Sequence, residues 1–383
     1  MQRNSVLLLV LAAAGLVAIG MVALYSTGAF APDSHGDGYY FVKRQMMWLG
    51  IGLVACVSAA LVDYRFWRRT WWVWYGLAAV LLVLCFVPPI GMEINGSRRW
   101  INLGGLASFQ PSEVAKLASI FFLAHWFTRH EAEVGRWWLG FVAPLAVVGV
   151  LMALIAIEVD IGSTALVGMT AVLIMFVAGT RLRLLIPLAL FGVAVGVLVV
   201  WLMPERTARV LAFLDLEKHR LEEGLQQYMA LIAFGSGGID GLGLGNGRQK
   251  FSYLPYAHTD FIFPMIGEEL GLRFTLLVVF AYLVLFVCGA CISFHARDRF
   301  GLLLGFGITM VLTLQAAVNI GVTTALLPNK GLPLPLISYG GSNLLLCLGA
   351  IGVLINIHRK GVPIDQGAAA TLLRVRVRPT PRL

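Results

Sequence analysis

Along this chain polar residues interrupt long apolar runs at wide intervals, and each run is about as long as a bilayer core is thick. A spanning helix takes about 20 mostly apolar residues, a spanning strand about 10 of alternating polarity. The runs have the helical form and predict ten spans, over about 6–26, 46–62, 71–88, 111–127, 138–158, 162–179, 183–203, 262–287, 301–325 and 339–357. The expected fold is an all-α polytopic membrane protein whose longest extracytoplasmic loop, 204–261, lies between spans seven and eight. Composition removes the soluble class, since 59% of residues are hydrophobic and 13% charged. The first run follows a short basic start, but no small-residue cleavage site ends it, so it reads as a retained span.

Charge adds orientation. A net charge of +9 would suggest nucleic acid in a soluble protein. Here the arginines gather in alternate loops: Arg65, Arg68 and Arg69, then Arg129 and Arg136, Arg181 and Arg183, Arg297 and Arg299. The tail adds Arg359, Lys360, Arg374, Arg376, Arg378 and Arg382. The positive-inside rule then makes both termini cytoplasmic and turns segments 27–45, 89–110, 204–261 and 326–338 outward. No nucleic-acid partner is expected. Residues 1–360 read as one transmembrane domain and 361–383 as a basic, disordered cytoplasmic tail. All five cysteines fall inside apolar runs, the Cys288 and Cys291 pair reads as packing, and no metal-ligand pattern is identified.

The outward segments carry the distinctive chemistry. In the long loop, Arg206 to Phe234 reads as an amphipathic helix along the membrane surface. The glycine-rich run Gly235 to Gly247 reads as a tight turn against lipid headgroups, without the spacing of a nucleotide loop. Asp260 stands immediately before Phe261, Ile262 and Phe263. Burial there would raise its pKa as a general base requires, but a helix cap fits equally well, and the residues leave both readings open. Glu268 lies about 12 Å deeper and roughly 80° round the helix, and Glu269 points nearly opposite, so neither pairs with Asp260. Pairing with a basic residue of another span is expected for one or both. Glu113 and Lys116, at i and i+3, can form an ion pair along one face, or Lys116 can face a phosphate. Arg98 suits an anionic headgroup, with its neighbour Arg99 as an interface anchor. Asp160 marks the turn between spans five and six, and Lys330 is a further outer cation where prolines and glycines break the start of span ten. The sum is an outward polar site suited to a lipid-linked substrate with an anionic phosphate headgroup.

Three stretches, NGSRRWINLGGLASFQPSEVAKL, GNGRQKFSYLPYAHTDFIFPMIGEELG and NIGVTTALLPNKGLPLPLISYGGSNLL, resemble the signature blocks of the SEDS (shape, elongation, division, sporulation) family. The likeness runs from about Tyr25 to Lys360. It implies a ten-span glycosyltransferase that polymerises lipid II into β-1,4 glycan strands outside the cytoplasmic (inner) membrane of a bacterium, releasing polyprenyl diphosphate. Asp260 aligns with the family's essential aspartate and is the expected catalytic base. Arg98, Lys116, Asp160, Gln226, His258 and Lys330 are the expected substrate-binding residues, with Glu113, Glu268 and Glu269 in support. The implied partners are lipid II, the growing glycan strand, a class B penicillin-binding protein (transpeptidase) and other divisome proteins. A divalent cation, Mg or Mn, is a further expectation with no site identified, and no nucleotide is needed. GNGRQKFSYLP and YYFVKRQ look more like the cell-division branch than the elongation branch, although QQYMALIAFGSGG and Tyr256 depart from the usual pattern. The alternatives are a lipid II flippase and an elongation-type polymerase. Concentration of ionisable residues on one side favours the enzyme over a carrier, which needs them through both membrane halves.

Overall fold

The computed structural model describes residues 2–28, 37–88, 90–94, 97–102, 108–251, 254 and 257–361. Its helices are α1 Gln2–Gly28, α2 Tyr40–Leu61, α3 Arg65–Leu84, α4 Pro111–Arg129, α5 Ala143–Ile157, α6 Ile161–Ala178, α7 Leu182–Leu202, α8 Pro204–Leu214, α9 Leu225–Gly237, α10 Ile262–Phe294, α11 Arg299–Thr323 and α12 Gly341–Lys360. Ten of these fall on the ten expected spans, which makes this a multi-pass membrane protein. Among the described residues eight helices, α5 counted with its π-helical lead-in Trp138–Val142, are long and apolar enough to cross a bilayer by themselves. The other two are α3, which opens with Arg65, Arg68 and Arg69, and α4, which carries Glu113 and Lys116. The tail expected beyond residue 360, Gly361 apart, and Tyr256 lie outside the described residues.

Local chemistry explains the helix ends. The Asp160 side chain accepts from Ser163 N at 3.0 Å to cap α6, and Asp298 accepts from Gly301 N at 2.9 Å to cap α11. Gly179, at φ 98°, ends α6 in the left-handed conformation. Packing follows where small residues let backbones approach, as expected where lipid supplies no hydrophobic drive between helices. Gly352 of α12 lies on the Cys56 backbone of α2, and Gly305 of α11 on Ser293 of α10. α11 is the central staff, buried along most of its length against α4, α6 and α10. By contrast, Leu185 is the one buried residue of α7.

The loops differ from expectation in three places. Segment 89–110 contains a small antiparallel sheet, β1 Gly91–Ile94, β2 Ser97–Asn102 and β3 Ser108–Phe109, in that order. The single amphipathic helix expected over Arg206 to Phe234 is two, α8 and α9. The break comes at Asp215, whose carboxylate accepts from Lys218 N at 3.3 Å and so competes with helix continuation. Finally, the glycine-rich run does not simply lie as a turn against headgroups, because it is pressed into α10. Leu242 N and Gly243 N donate to the carbonyls of Glu268 and Glu269 at 2.9 and 3.0 Å, and Leu272 N donates to Gly238 O at 2.9 Å. At that point α10 itself breaks, with Gly271 at φ 78°, ψ −174°.

That backbone conformation is open essentially to glycine alone, and a side chain on Gly271 would also strike the backbone of Gly241 and Ile239. Gly271→Val is therefore expected to destabilise the protein by about 2–5 kcal/mol. Thermal unfolding of the purified protein in detergent measures this, and an unchanged midpoint would show that the break does not depend on glycine.

Candidate active site

The loops between α3 and α4, α5 and α6, α7 and α10, and α11 and α12 gather at one end of the bundle. All three non-glycine residues with left-handed backbone among the described residues, Val159, Ala325 and Leu336, lie in or beside these loops. Residues 328–340 form neither helix nor strand, and Leu332, Leu334, Leu336 and Ile337 are nonetheless buried. Such a segment needs its carbonyls met by side chains. Asn319 Nδ2 donates to Leu332 O at 2.7 Å, Gln315 Nε2 to Pro333 O at 2.8 Å, Tyr282 Oη to Pro335 O, and Gln45 Nε2 to Ser338 O at 3.2 Å.

Asp260 is fastened to this segment. Asn319 Nδ2 also donates to Asp260 O at 2.8 Å, while Ser338 Oγ donates to Thr259 O at 2.6 Å and Tyr339 N to His258 O at 3.0 Å. The carboxylate lies over Gly331, where a Cβ would come within 2.6 Å of Asp260 Oδ2. It sits deep in the loops yet stays partly open to solvent. Burial first, then the charge of Asp160, pushes its pKa up to about 6, with Arg99 pulling the other way. Asp260 does not cap α10: Phe261 is the residue at that position, and it makes no capping bond.

Asp160 is buried at the start of α6, one oxygen on Ser163 N and the other accepting from Gln110 Nε2 at 3.3 Å. Lys330 lays its stem against Gly162, where a Cβ would be 3.2 Å from Lys330 Cε. Burial lowers the Lys330 pKa to about 8, Asp160 raising it and Arg206 and Arg99 lowering it further. Gln226 accepts from Asn329 Nδ2 at 2.7 Å beside Lys330, and the His258 ring lies 4.5 Å from Phe41 and 6.0 Å from Tyr339.

Other expected site residues sit elsewhere. Arg98 points away from the acidic cluster and pairs with Glu93 at 3.2 Å on an exposed face of the sheet. Strand alternation turns its neighbour Arg99 inward instead, so the residue taken for an interface anchor is the one that feels Asp260, Lys330 and Glu158. Lys116 faces no open phosphate site. It is buried 2.8 Å from Glu113 and donates to Gln315 Oε1 at 2.6 Å, which links α4 through Gln315 to Pro333. Glu269 pairs with Lys250 at 2.8 Å and accepts from Ser26 Oγ at 2.7 Å, so its basic partner comes from the long loop and not from another span. Glu268 accepts from Arg248 N at 2.8 Å and from Gln249 N, holding the same loop.

Five contributors escaped the sequence reading besides Arg99. Gln227, buried, ties α9 to the carbonyls of Val322 and Leu327 at 2.8 Å each. Asn319 and Gln315 were legible only as polar residues in an apolar span. Arg206 reaches the cluster from the first turn of α8. Glu158, whose carboxyl is buried beside Cys85, is pushed up to about 8 by that burial.

The family described as Cell cycle protein (FtsW/RodA/SpoVE) matches residues 6–361. The chain belongs to the FtsW/RodA/SpoVE family. It is 39% identical over 365 residues to a Geobacter metallireducens protein named probable peptidoglycan glycosyltransferase FtsW, covering 93% of this chain and 96% of that one. It is 40% identical over 359 residues to stage V sporulation protein E of Bacillus subtilis, covering 92% and 96%. Among solved structures it is similar to a chain from work on coordination of polymerization and crosslinking by a peptidoglycan synthase complex, with a TM-score of 0.75, 30% identity and coverage of 92% and 96%. Its likeness to the rod shape determining protein RodA of Thermus thermophilus has a TM-score of 0.67 at 28% identity, covering 93% and 97%.

A buried ion pair is costly to halve and cheap to replace whole. Glu113→Leu or Lys116→Met alone is expected to cost about 3–5 kcal/mol, and the double substitution markedly less than their sum. Thermal unfolding of the four proteins in detergent forms the cycle, and strict additivity would mean that the pair is not coupled.

Proposed function

We propose that Asp260 is the general base of a polymerase acting on lipid II at the extracytoplasmic face of the membrane. The chain is a peptidoglycan glycosyltransferase of the FtsW-like kind. One observation carries the assignment of the base: a partly open carboxyl whose pKa is pushed to about 6, low enough to be ionised at neutral pH and high enough to accept a proton in a transition state.

In this reading the Asp260 carboxylate takes the proton of an acceptor sugar hydroxyl as that oxygen attacks the anomeric carbon of the growing glycan. The bond to the polyprenyl diphosphate breaks with its electron pair on the leaving oxygen, and inversion gives the β link. Cations close by stabilise the leaving charge more in the transition state than in the ground state. Asp160 and Gln226 act by positioning, through α6 and through Asn329. Among the described residues no three of His, Cys, Asp and Glu gather as metal ligands, and both Asp160 oxygens are engaged. No step is routed through a divalent ion.

We place the termini in the cytoplasm, because Arg65, Arg68, Arg69, Arg129, Arg181, Arg297 and Arg299 cluster at the end of the bundle opposite Asp260. Residues 1–360 form the transmembrane unit, followed by a cytoplasmic tail. A similar chain comes from work on a synthase complex that coordinates polymerization with crosslinking. We accordingly propose a class B penicillin-binding protein as partner, in cell division.

Asp260→Asn is expected to reduce glycan polymerisation from labelled lipid II by about 10²–10⁴-fold. Because Asp260 must be deprotonated and Lys330 charged, the wild-type rate should rise with pH through about 6 and fall through about 8. Lys330→Arg, charged throughout, should lose the alkaline fall. An acid limb at the ordinary aspartate value of about 4 would defeat the assignment of the base.

A further inference from the structure

Arg99 comes from β2 and Arg206 from the first turn of α8, and their guanidinium groups converge on one backbone carbonyl. Arg99 Nη2 and Arg206 Nη2 each lie 3.4 Å from Val159 O. Val159 turns that carbonyl toward them from a left-handed backbone, φ 67°, which a β-branched residue rarely adopts. Arg99 Nε and Arg206 Nη1 are shut off from solvent and have no hydrogen-bond partner. Buried donors left unmet are costly, and here there are two on adjacent cations.

Among the described residues no carboxylate forms an ion pair with either arginine, and Glu205 and Asp260 act on them only at longer range. Lys330 adds a third positive charge; burial first, then the neighbouring cations, lowers the pKa values of Lys330 and Arg206. Asp160 is committed to Ser163 N and Gln110. Glu158, pushed up to about 8 by burial, is protonated at neutral pH and supplies no counter-charge. Two guanidinium forks offer more donors than one carboxylate can accept, but they match the several oxygens of a diphosphate. Arg99 acts on the charges of both Asp260 and Lys330, and Arg206 on that of Lys330. An in-line displacement needs the proton acceptor on one side of the anomeric carbon and the leaving group on the other.

We propose that Arg99 and Arg206, together with Lys330, bind the diphosphate of the lipid-linked donor, and that Arg206 is the contribution of α8 to catalysis. The proposal rests on the glycosyltransferase reading. As the C1–O bond breaks, both its electrons pass to the diphosphate oxygen that the two guanidinium groups hold; the new bond forms to the acceptor oxygen, whose proton goes to Asp260.

The test is equilibrium binding of a fluorescent farnesyl diphosphate to the full-length protein in detergent. Arg99→Ala and Arg206→Ala should each weaken binding by about tenfold to a hundredfold, with Arg206→Lys between them and wild type. Asp260→Asn should bind as wild type does while failing to polymerise. Arg209→Ala, which removes a cation of the same helix paired in solvent with Glu223, should leave binding unchanged. A competing arm uses phosphatidylglycerol, whose single phosphodiester should displace the probe only weakly. Unchanged binding in Arg206→Ala overturns the proposal, and so does equal competition by phosphatidylglycerol, which would make the pair a headgroup anchor. If Arg206→Ala does not fold, wild-type affinity in Arg206→Lys and Arg99→Ala overturns it instead. Full polymerisation by Asp260→Asn would defeat the assignment of the base while leaving the diphosphate result to stand or fall by itself.

Discussion

The active end of this protein depends on satisfying the backbone of one buried segment that has no regular structure. Residues 328–340 lie among apolar helices, where an unmet carbonyl costs several kcal/mol. Gln45, Tyr282, Gln315 and Asn319, from three different helices, supply donors along the segment, and Gln227 secures the carbonyls just before it. This net carries Lys330, holds Asp260 through Asn319, and reaches the Glu113 and Lys116 pair through Gln315. Polar residues inside apolar spans are thus the framework of the site, and their cost in the membrane is offset by the bonds they make.

Charge is used in two ways in the same molecule. Glu113 with Lys116 and Glu269 with Lys250 are buried, closely paired and electrically closed, so they brace elements without presenting a field to a substrate. At the mouth of the bundle the reverse holds. Asp260, Lys330, Arg99 and Arg206 do not close into ion pairs among the described residues, and burial pushes Asp260 and Lys330 toward neutrality, helped by Asp160 for the one and by the two arginines for the other. The candidate reactive groups are those whose interactions the fold leaves incomplete.

The break at Gly271 serves the same end. It makes Ile262–Leu270 a short helix distinct from the long span that follows, and the glycine turn, Glu268 and Glu269 clasp that short helix to the loop at 242–250. Asp260 stands directly before the clasped segment. Its position is therefore set by loop contacts on one side and by the 328–340 net on the other.

Ten spans and the candidate base were legible in the sequence because each is a local property. Twenty apolar residues must be helical in lipid, and a carboxylate at the threshold of such a run is expensive wherever the chain goes afterwards. Which arginine faces the site was not legible, since Arg98 and Arg99 are chemically alike and only the register of β2 sends one outward to Glu93 and the other inward. The roles of Lys116 and Glu269 were hidden for the same reason, as their partners Gln315 and Lys250 are remote in sequence or on a loop. The sequence by itself determined the membrane fold and the residue types available for chemistry. Tertiary structure decided which charges are neutralised and which are left open, because pairing depends on distances between segments that no local pattern encodes.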